Sequence, residues 1–443
     1  MGKLNSILRI PSQFYTLMLA DLKKPHPFAA ERVGFFSTSL ITAGEKFKIV
    51  LVTGYHSIPD DDYIDDPAVG AKINTKAILT AMQRIISTGK GCLHVHLHEH
   101  NGTPSPSSTD LASLPGLARS FLNANSETAC GYLILSNNDF FCEMYTLNGQ
   151  SVKIGQLTIV GYPLKINLSN GKSNYQPIET FSRQIFLGQN SEWLLKNVRI
   201  GIVGLGGGGS HIAQQLGHIG IVHFSIFDED SIEVSNLNRL IGAWFTDVLV
   251  KMKKIKIIKR LISKINPRSH IQAFASRWQD HPDELNKCDL VLGCVDSYDE
   301  RMQLESACRR ALIPLIDIGM DVHTIPGGLF SMAGQVILSM PGDACMTCFN
   351  FLSEEKLSEE AKKYGKVGGR PQVVWPNGVL ASTAVGICID LISGWAHMKD
   401  RKVYLSYDGG RGHVIDHPRG VHCPATCIHY PLEKAGNVAF MRL

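Results

Sequence analysis

No uninterrupted apolar run in the 443-residue sequence reaches the roughly 18 residues of a membrane-spanning helix. The opening, Met1-Gly-Lys-Leu-Asn-Ser6, has neither the apolar core nor the cleavage pattern of a signal peptide, so the cytoplasm is the expected compartment. Excess charge is also scarce. Forty-four Lys and Arg against forty Asp and Glu leave +4, too little at this length to call for nucleic acid or a membrane surface as partner. There is no internal repeat and no long low-complexity tract. Eleven cysteines in a chain without a secretory signal point to thiols, metal ligands or a nucleophile more than to a disulfide framework.

What is present is a globular composition, 44% hydrophobic and 19% charged, in a chain too long for one core, which implies two or three domains. Residues 1–165 carry short β-like runs (Phe47–Val52, Gly91–Leu97, Cys130–Leu135, Leu157–Val160) around a helical stretch at 73–87, an α+β pattern. Residues 166–180, rich in Asn, Ser, Gly and Lys, are expected to be a linker. From 181 to about 400, strand and helix candidates alternate. That alternation predicts an α/β fold with a parallel, doubly wound sheet in the domain 181–443.

The second region is organised around Val198–His211, an apolar strand running into Gly204, Gly206, Gly207 and Gly209. Glycines permit a turn too tight for a Cβ, and the helix behind it offers free N–H groups and a positive dipole end to phosphate. The next strand, His223–Phe227, ends in Asp228, at the distance where a Rossmann-type unit places its ribose-binding acid. By itself this turn admits NAD, FAD or ATP. Ser235-Asn-Leu-Asn-Arg239 is a rarer string, and Asp289–Ser297 is an apolar strand that delivers Asp296 to the edge where open α/β sheets bind ligands. Lys251, Lys253 and Lys254 either start a solvated helix or supply a phosphate contact. Cys345-Met-Thr-Cys348 and His422-Cys-Pro-Ala-Thr-Cys427 form two paired-thiol turns. Four thiolates, Cys345, Cys348, Cys423 and Cys427, suit tetrahedral zinc, the alternatives being free thiols or a redox pair.

Residues 181–430 resemble the ThiF/MoeB/ubiquitin-activating superfamily. The resemblance makes Arg183 the arginine finger that dimeric members insert into a partner's ATP site, so it implies a homodimer. It places Asp228 and Asp230 beside the ribose, Asn236 and Arg239 near the phosphates, and Asp296 on Mg²⁺. Counted back from Asn266-Pro267, Lys254 takes the phosphate-lysine position. Asp247-Val-Leu-Val stands where Asp-x-Gly is usual, and two extra residues after Arg239 keep Lys251 and Lys253 as alternatives. The implied reaction is ATP–Mg²⁺-dependent adenylation of the C-terminal glycine of a ubiquitin-like or sulfur-carrier protein, with a conjugating enzyme or a sulfurtransferase as further partner. Residues 349–387 contain no cysteine, and Cys388 sits in an apolar helix. Direct hand-off of the activated carboxylate is therefore expected in place of a standard thioester step.

In the first region, Gly91–His100 carries His94, His96, His98 and His100 at a spacing of two, which on a strand turns all four to one face. Ser107 and Asp110 follow a polar loop. Two imidazoles and a carboxylate with a position left for water make a catalytic zinc site, and the alternative is a solvated His-rich edge with adventitious metal. The pattern resembles the JAB/MPN (JAMM) metalloproteases, which implies His96, His98 and Asp110 as Zn²⁺ ligands, Glu31 as proton carrier and Ser107 as oxyanion donor. His98 and His100 are the other register. Together the two resemblances imply a bifunctional enzyme that activates a glycine-ended tail and hydrolyses peptide or isopeptide bonds at it, as in bacterial ubiquitin-like conjugation operons, some linked to phage defence. Two alternatives remain: an adenylyltransferase for a sulfur carrier, and a non-enzymatic, nucleotide-regulated binding module.

Overall fold

Cross-strand pairing and buried aliphatic runs set two separate sheets. The computed structural model describes residues 6–26, 29–44, 47–66, 69–145, 150–169, 179–188, 190–363, 372–396 and 403–437. The chain divides into two compact units: Met1–Gly161 with Lys165–Asn174 and Leu432–Asn437, and Tyr162–Leu164 with Tyr175–Pro431 and Val438–Leu443.

Unit 1 runs β1 (Ser6–Pro11), α1 (Ser12–Leu22), β2 (Val33–Ala43), β3 (Phe47–Ser57), α2 (Thr75–Thr88), β4 (Gly91–Leu97), α3 (Ser108–Ala124), β5 (Cys130–Leu135), β6 (Phe140–Tyr145), β7 (Ser151–Lys153), β8 (Gln156–Val160) and β9 (Lys165–Leu168). Its nine-stranded mixed sheet has the order β7-β6-β5-β4-β2-β3-β1-β8-β9. Every residue of β4 is buried. It pairs antiparallel with β2 and parallel with β5, and the parallel pair needs a crossover, which α3 supplies. Phe35, Leu114, Phe121 and Ile134 meet in the core beneath α2 and α3. The helix expected at 73–87 spans 75–88: the Asn74 side chain accepts the Ala77 N–H at its start, and Gly89, at φ 68°, ends it. The expected linker starts later than its composition suggests. Lys165–Leu168 pairs with β8, because alternation in Lys-Ile-Asn-Leu suffices for an edge strand, and residues 170–178 lie outside the described residues.

Unit 2 continues with α4 (Ser191–Asn197), β10 (Arg199–Val203), α5 (Gly207–Ile219), β11 (His223–Phe227), α6 (Phe245–Leu249), α7 (Lys254–Ile265), β12 (His270–Phe274), α8 (Pro282–Asn286), β13 (Leu290–Gly293) and α9 (Tyr298–Arg310). Then come β14 (Leu315–Ile325), β15 (Leu329–Ser339), α10 (Glu354–Lys363), α11 (Val374–Ser393), β16 (Tyr404–Asp408), β17 (His413–Asp416) and α12 (Pro418–Val421). The sheet order is β12-β11-β10-β13-β14-β15-β16-β17. β12 to β14 are parallel, and the order reverses between β10 and β13, the switch point where such sheets bind ligands. The expectation of a parallel sheet holds only for these five strands. Gly327 and Gly328, both at positive φ, close a tight hairpin between β14 and β15, and the remaining strands follow antiparallel. α11 is long and apolar enough to cross a membrane by length and composition, yet it is a core helix packed on α5, β14 and β15.

Candidate functional site

The carboxyl ends of β10, β11 and β13 open onto a cavity of about 360 Å³ in unit 2. Its floor is the glycine turn. Gly204 has φ +84°, and a Cβ there would lie 2.6 Å from the Cys294 carbonyl oxygen. A Cβ on Gly209 would sit 1.9 Å from the Gly204 oxygen, so only glycine lets α5 start this close to the strand. In front of Gly206 nothing lies within 4 Å, which leaves the first turn of α5 open to the cavity. Gly207 faces the Asn377 amide of α11.

The charged wall follows from the strand ends. Asp228 accepts the Leu205 N–H (2.7 Å) and the Asp230 N–H (2.9 Å), and burial pushes its carboxyl up despite Lys254 nearby. Lys254, at the start of α7, ion-pairs with Asp230 at 2.6 Å and lines the cavity. Lys253 instead donates to the Glu229 carbonyl, and Lys251 stands exposed at φ 46° outside the lining. Asn236 is buried in the turn, where its side-chain oxygen accepts the Glu233 N–H, while Arg239 donates to the Ser235 carbonyl. Both line the cavity, as does Asp296. Asp247 is turned away from phosphate chemistry: it is buried and bridged by both Arg260 nitrogens at 2.6 and 2.8 Å. Arg183 lies exposed on the 3₁₀ segment Glu179–Leu187 and does not line the cavity.

Several wall residues escape sequence reasoning. Glu300 lies in the first turn of α9, four residues beyond Asp296, and burial, then the Asp296 charge, pushes its carboxyl up. Arg301 donates to the Val295 carbonyl and pairs with buried Asp317 at 3.2 Å, bracing the β13–α9 corner. Trp278 and Asn377 complete the wall from elements far along the chain. The available signals were the Asp296-to-Arg301 spacing and a lone Asn at the start of an otherwise apolar helix.

The cysteine turns converge with one substitution in the expected set. Cys345, Cys348 and Cys427 are joined by His429, and the four ligand atoms lie within 4.8 Å of one another. The Sγ–Sγ separations are 3.6 and 3.8 Å, and His429 Nδ1 is 3.4 and 3.3 Å from Cys345 and Cys348. Bonds of about 2.3 Å at the tetrahedral angle put ligand atoms roughly 3.8 Å apart, so the group fits zinc. Cys423 is not among them. Its thiol is directed to the Gly420 carbonyl at 3.1 Å, at the end of α12, a helix that the paired-thiol spacing did not foretell.

In unit 1 the histidine strand stops at Leu97, three residues short of the His100 that a four-histidine face requires. His98 continues the ladder only through its N–H to Leu135, and His100 turns back onto His98 and lies outside the cluster. The register Val33↔His96 brings Glu31, two residues upstream, level with His98. Glu31, His96 and His98 accordingly meet within 4.8 Å. The two Nε2 atoms are 3.1 Å apart, and Asp110 oxygens stand 3.6 Å from His96 and 3.8 Å from His98. Imidazole and carboxylate ligands at about 2.0–2.1 Å need separations of this size, so the set fits zinc with Glu31 beside it. Ser107 caps α3, its hydroxyl donating to Asp110 at 2.8 Å while the Asp110 carboxylate also accepts the Ser107 N–H. Burial alone would raise the Asp110 carboxyl, but His96 and these Ser107 bonds hold it well below the usual range. Gly70 was not foreseen. A Cβ there would lie 2.9 Å from the Glu31 carboxyl carbon, so glycine makes room for that side chain.

Residues 181–424 match the ThiF family, more than half the chain, and the chain belongs to that family. Ubiquitin-like modifier-activating enzyme 5 of Rattus norvegicus is 28% identical over 169 residues, 35% of this chain and 40% of that protein. Molybdopterin-synthase adenylyltransferase of Escherichia coli (strain K12) is 27% identical over 243 residues, 53% of this chain and 89% of that protein. Among solved structures, MccB of E. coli with ATP is 21% identical with a TM-score of 0.46, over 57% of this chain and 75% of that one. The chain thus spans about two fifths of the length of the first of these relatives.

Proposed function

We propose that unit 2 adenylates the C-terminal carboxylate of a glycine-ended protein of the ubiquitin-like or sulfur-carrier class, with ATP as co-substrate. The carrying observation is that one cavity at the sheet's switch point gathers the glycine turn, Asp230, Asn236, Arg239, Lys254 and Asp296. A carboxylate attacking the α-phosphorus is repelled by the phosphate charge unless cations neutralise it. Lys254 and Arg239 take that role as the α–β phosphoanhydride bond breaks and pyrophosphate departs, while Gly206 and the first N–H groups of α5 hold phosphate oxygens. Hard carboxylate oxygens of Asp296 and Glu300 suit magnesium, which would supply further charge neutralisation. Arg183 would serve the site of a second copy, in a homodimer. Cys388 is fully buried, its thiol pushed up to about 12, which favours direct hand-off over a thioester at that position. ATP–pyrophosphate exchange stimulated by a glycine-tailed carrier is the test. ATP binding without exchange for any such carrier would favour the binding module, and a thiocarboxylate product, about 16 Da heavier by exchange of oxygen for sulfur, would favour sulfur transfer.

We further infer that unit 1 is a JAB/MPN-type metallohydrolase acting on peptide or isopeptide bonds after that glycine. The support is the meeting of Glu31, His96, His98 and Asp110 from three separate segments. Zinc held by the two imidazoles and Asp110 would supply a bound water acidic enough to react near neutral pH. Glu31 accepts a proton and passes it to the leaving amine, and the Ser107 hydroxyl donates to the developing oxyanion.

A further inference from the structure

α9 is built into two places at once. Its first turn brings Glu300 and Arg301 to the nucleotide cavity, just beyond Asp296 in the chain. Its second half carries Glu305, Ser306 and Arg309, which are 0%, 2% and 3% exposed and do not line that cavity. All three instead hold the turns that present the thiol–imidazole group. Glu305 accepts the N–H of Met346, the residue after Cys345, at 2.8 Å, and the same oxygen accepts the Ser339 hydroxyl. Arg309 donates to the carbonyls of Asp343 and Ala344, just before Cys345, at 2.9 and 2.8 Å. Ser306 and Tyr430, the neighbour of His429, share a hydroxyl–hydroxyl bond of 2.9 Å, and the Tyr430 N–H donates to the Cys427 sulfur at 3.4 Å. Two turns far apart in the chain are thus fastened to one helix.

A helix of 13 residues is a stiff rod about 20 Å long, so displacement at one end is felt at the other. The cavity end is fastened as tightly: Arg301 donates to the carbonyl of Val295, the residue before Asp296, and pairs with buried Asp317. Were the turns to move without the helix, Glu305 and Arg309 would lose partners inside the protein at the full cost of desolvation. Turns and helix therefore move together. We propose that the thiol–imidazole group is a control site for the nucleotide cavity: zinc held by Cys345, Cys348, Cys427 and His429 fixes α9 with Asp296 and Glu300 in place for ATP–Mg²⁺, and the zinc-free protein binds ATP–Mg²⁺ more weakly. The identity of the nucleotide rests on the adenylation reading above. Access suits such control, since Cys348 is half-buried and His429 exposed. Glu305, Ser306 and Arg309 act through the helix and are positioning residues. By linkage the effect is reciprocal, with ATP–Mg²⁺ tightening zinc by the same factor.

The test uses the full chain carrying His96→Ala and His98→Ala, so that zinc at unit 1 does not enter the measurement. Calorimetry should show ATP–Mg²⁺ binding about tenfold weaker in chelator-stripped, thiol-reduced protein than in zinc-loaded protein, with affinity restored when zinc is returned. Saturating ATP–Mg²⁺ should slow the transfer of zinc to a chromogenic chelator. Adding Ser306→Ala and Arg309→Lys cuts the ties between α9 and the two turns while sparing every metal ligand. That variant should keep its zinc, and its ATP affinity should differ by less than about twofold between the loaded and stripped states. Equal ATP affinity with and without zinc overturns the control site and leaves adenylation standing, as does undiminished zinc dependence in the Ser306→Ala, Arg309→Lys variant. A stripped protein that loses ATP binding only together with the melting transition of unit 2 assigns the group to folding alone and also overturns it. So does a protein that takes up no zinc. No ATP binding in either state removes the adenylation reading and the linkage with it.

Discussion

His429 stands two residues beyond Cys427, and Cys423 four residues before it, yet only the histidine reaches the other thiols. Sequence spacing names candidates for a metal group, and the path of the backbone through α12 selects among them. A zinc ion bound at this group should be lost in His429→Ala and kept in Cys423→Ala, as metal analysis with thiol titration of zinc-supplemented protein will read; no bound zinc in the parent would show that the group holds none. The same division appears at the other centre. His96, His98, Ser107 and Asp110 were legible as types at a spacing, but Gly70 carries no chemistry and nothing in the sequence ties it to Glu31. Glu31→Ala should retain zinc and cut a ubiquitin-like fusion at least about a hundredfold more slowly. Gly70→Ala should displace the Glu31 carboxylate and slow cleavage in the same sense, again with zinc retained. Undiminished cleavage by Glu31→Ala would remove the assigned role.

Among the elements, α5 and its turn show how two glycines three residues apart can differ in purpose. Gly209→Ala places a Cβ against the backbone oxygen of Gly204, which cannot move aside without shifting the strand. A loss of about 2–4 kcal/mol in unfolding free energy is expected, together with loss of ATP binding. Gly206→Ala meets no protein atom, so the melting temperature should hold while ATP affinity falls, by calorimetry, because the methyl group enters the space given to phosphate. Along α7, Lys254→Ala should weaken ATP binding about tenfold or more, and Lys251→Ala should leave it unchanged, since only Lys254 lines the cavity. These elements were readable beforehand: apolar runs marked β4, β5, β10 and β13, and the helix ending at Ile265 began at the expected lysine. The hairpin of β14 and β15 was not readable as a change of sheet direction, because a β-rich run looks the same whether its partner is parallel or antiparallel.

For the molecule as a whole, the last described residues belong to unit 1 although they follow unit 2 in the chain. Leu432 and Ala435 are buried, Gly436 packs on Ser39, and Lys90 reaches the Glu433 carbonyl. Truncation after Pro431 should therefore destabilise unit 1 by about 2–4 kcal/mol and lower its cleavage activity, while pyrophosphate exchange persists. Equal loss of both activities would place these residues in the service of unit 2.

By itself the sequence determined the residue types and their order: a strand before glycines, histidines at a spacing of two, acids at strand ends, paired thiols. Those are local facts, set by backbone sterics and by ligand chemistry over a few residues. Only the tertiary structure decided which of them meet. Val33↔His96 pairing carries Glu31 to the histidines, the reversal of strand order between β10 and β13 opens the cavity, and the chain beyond α12 brings His429, not Cys423, to the other thiols. Such meetings depend on strand register and long-range packing, which join residues many tens of positions apart and leave no mark on the stretches between them.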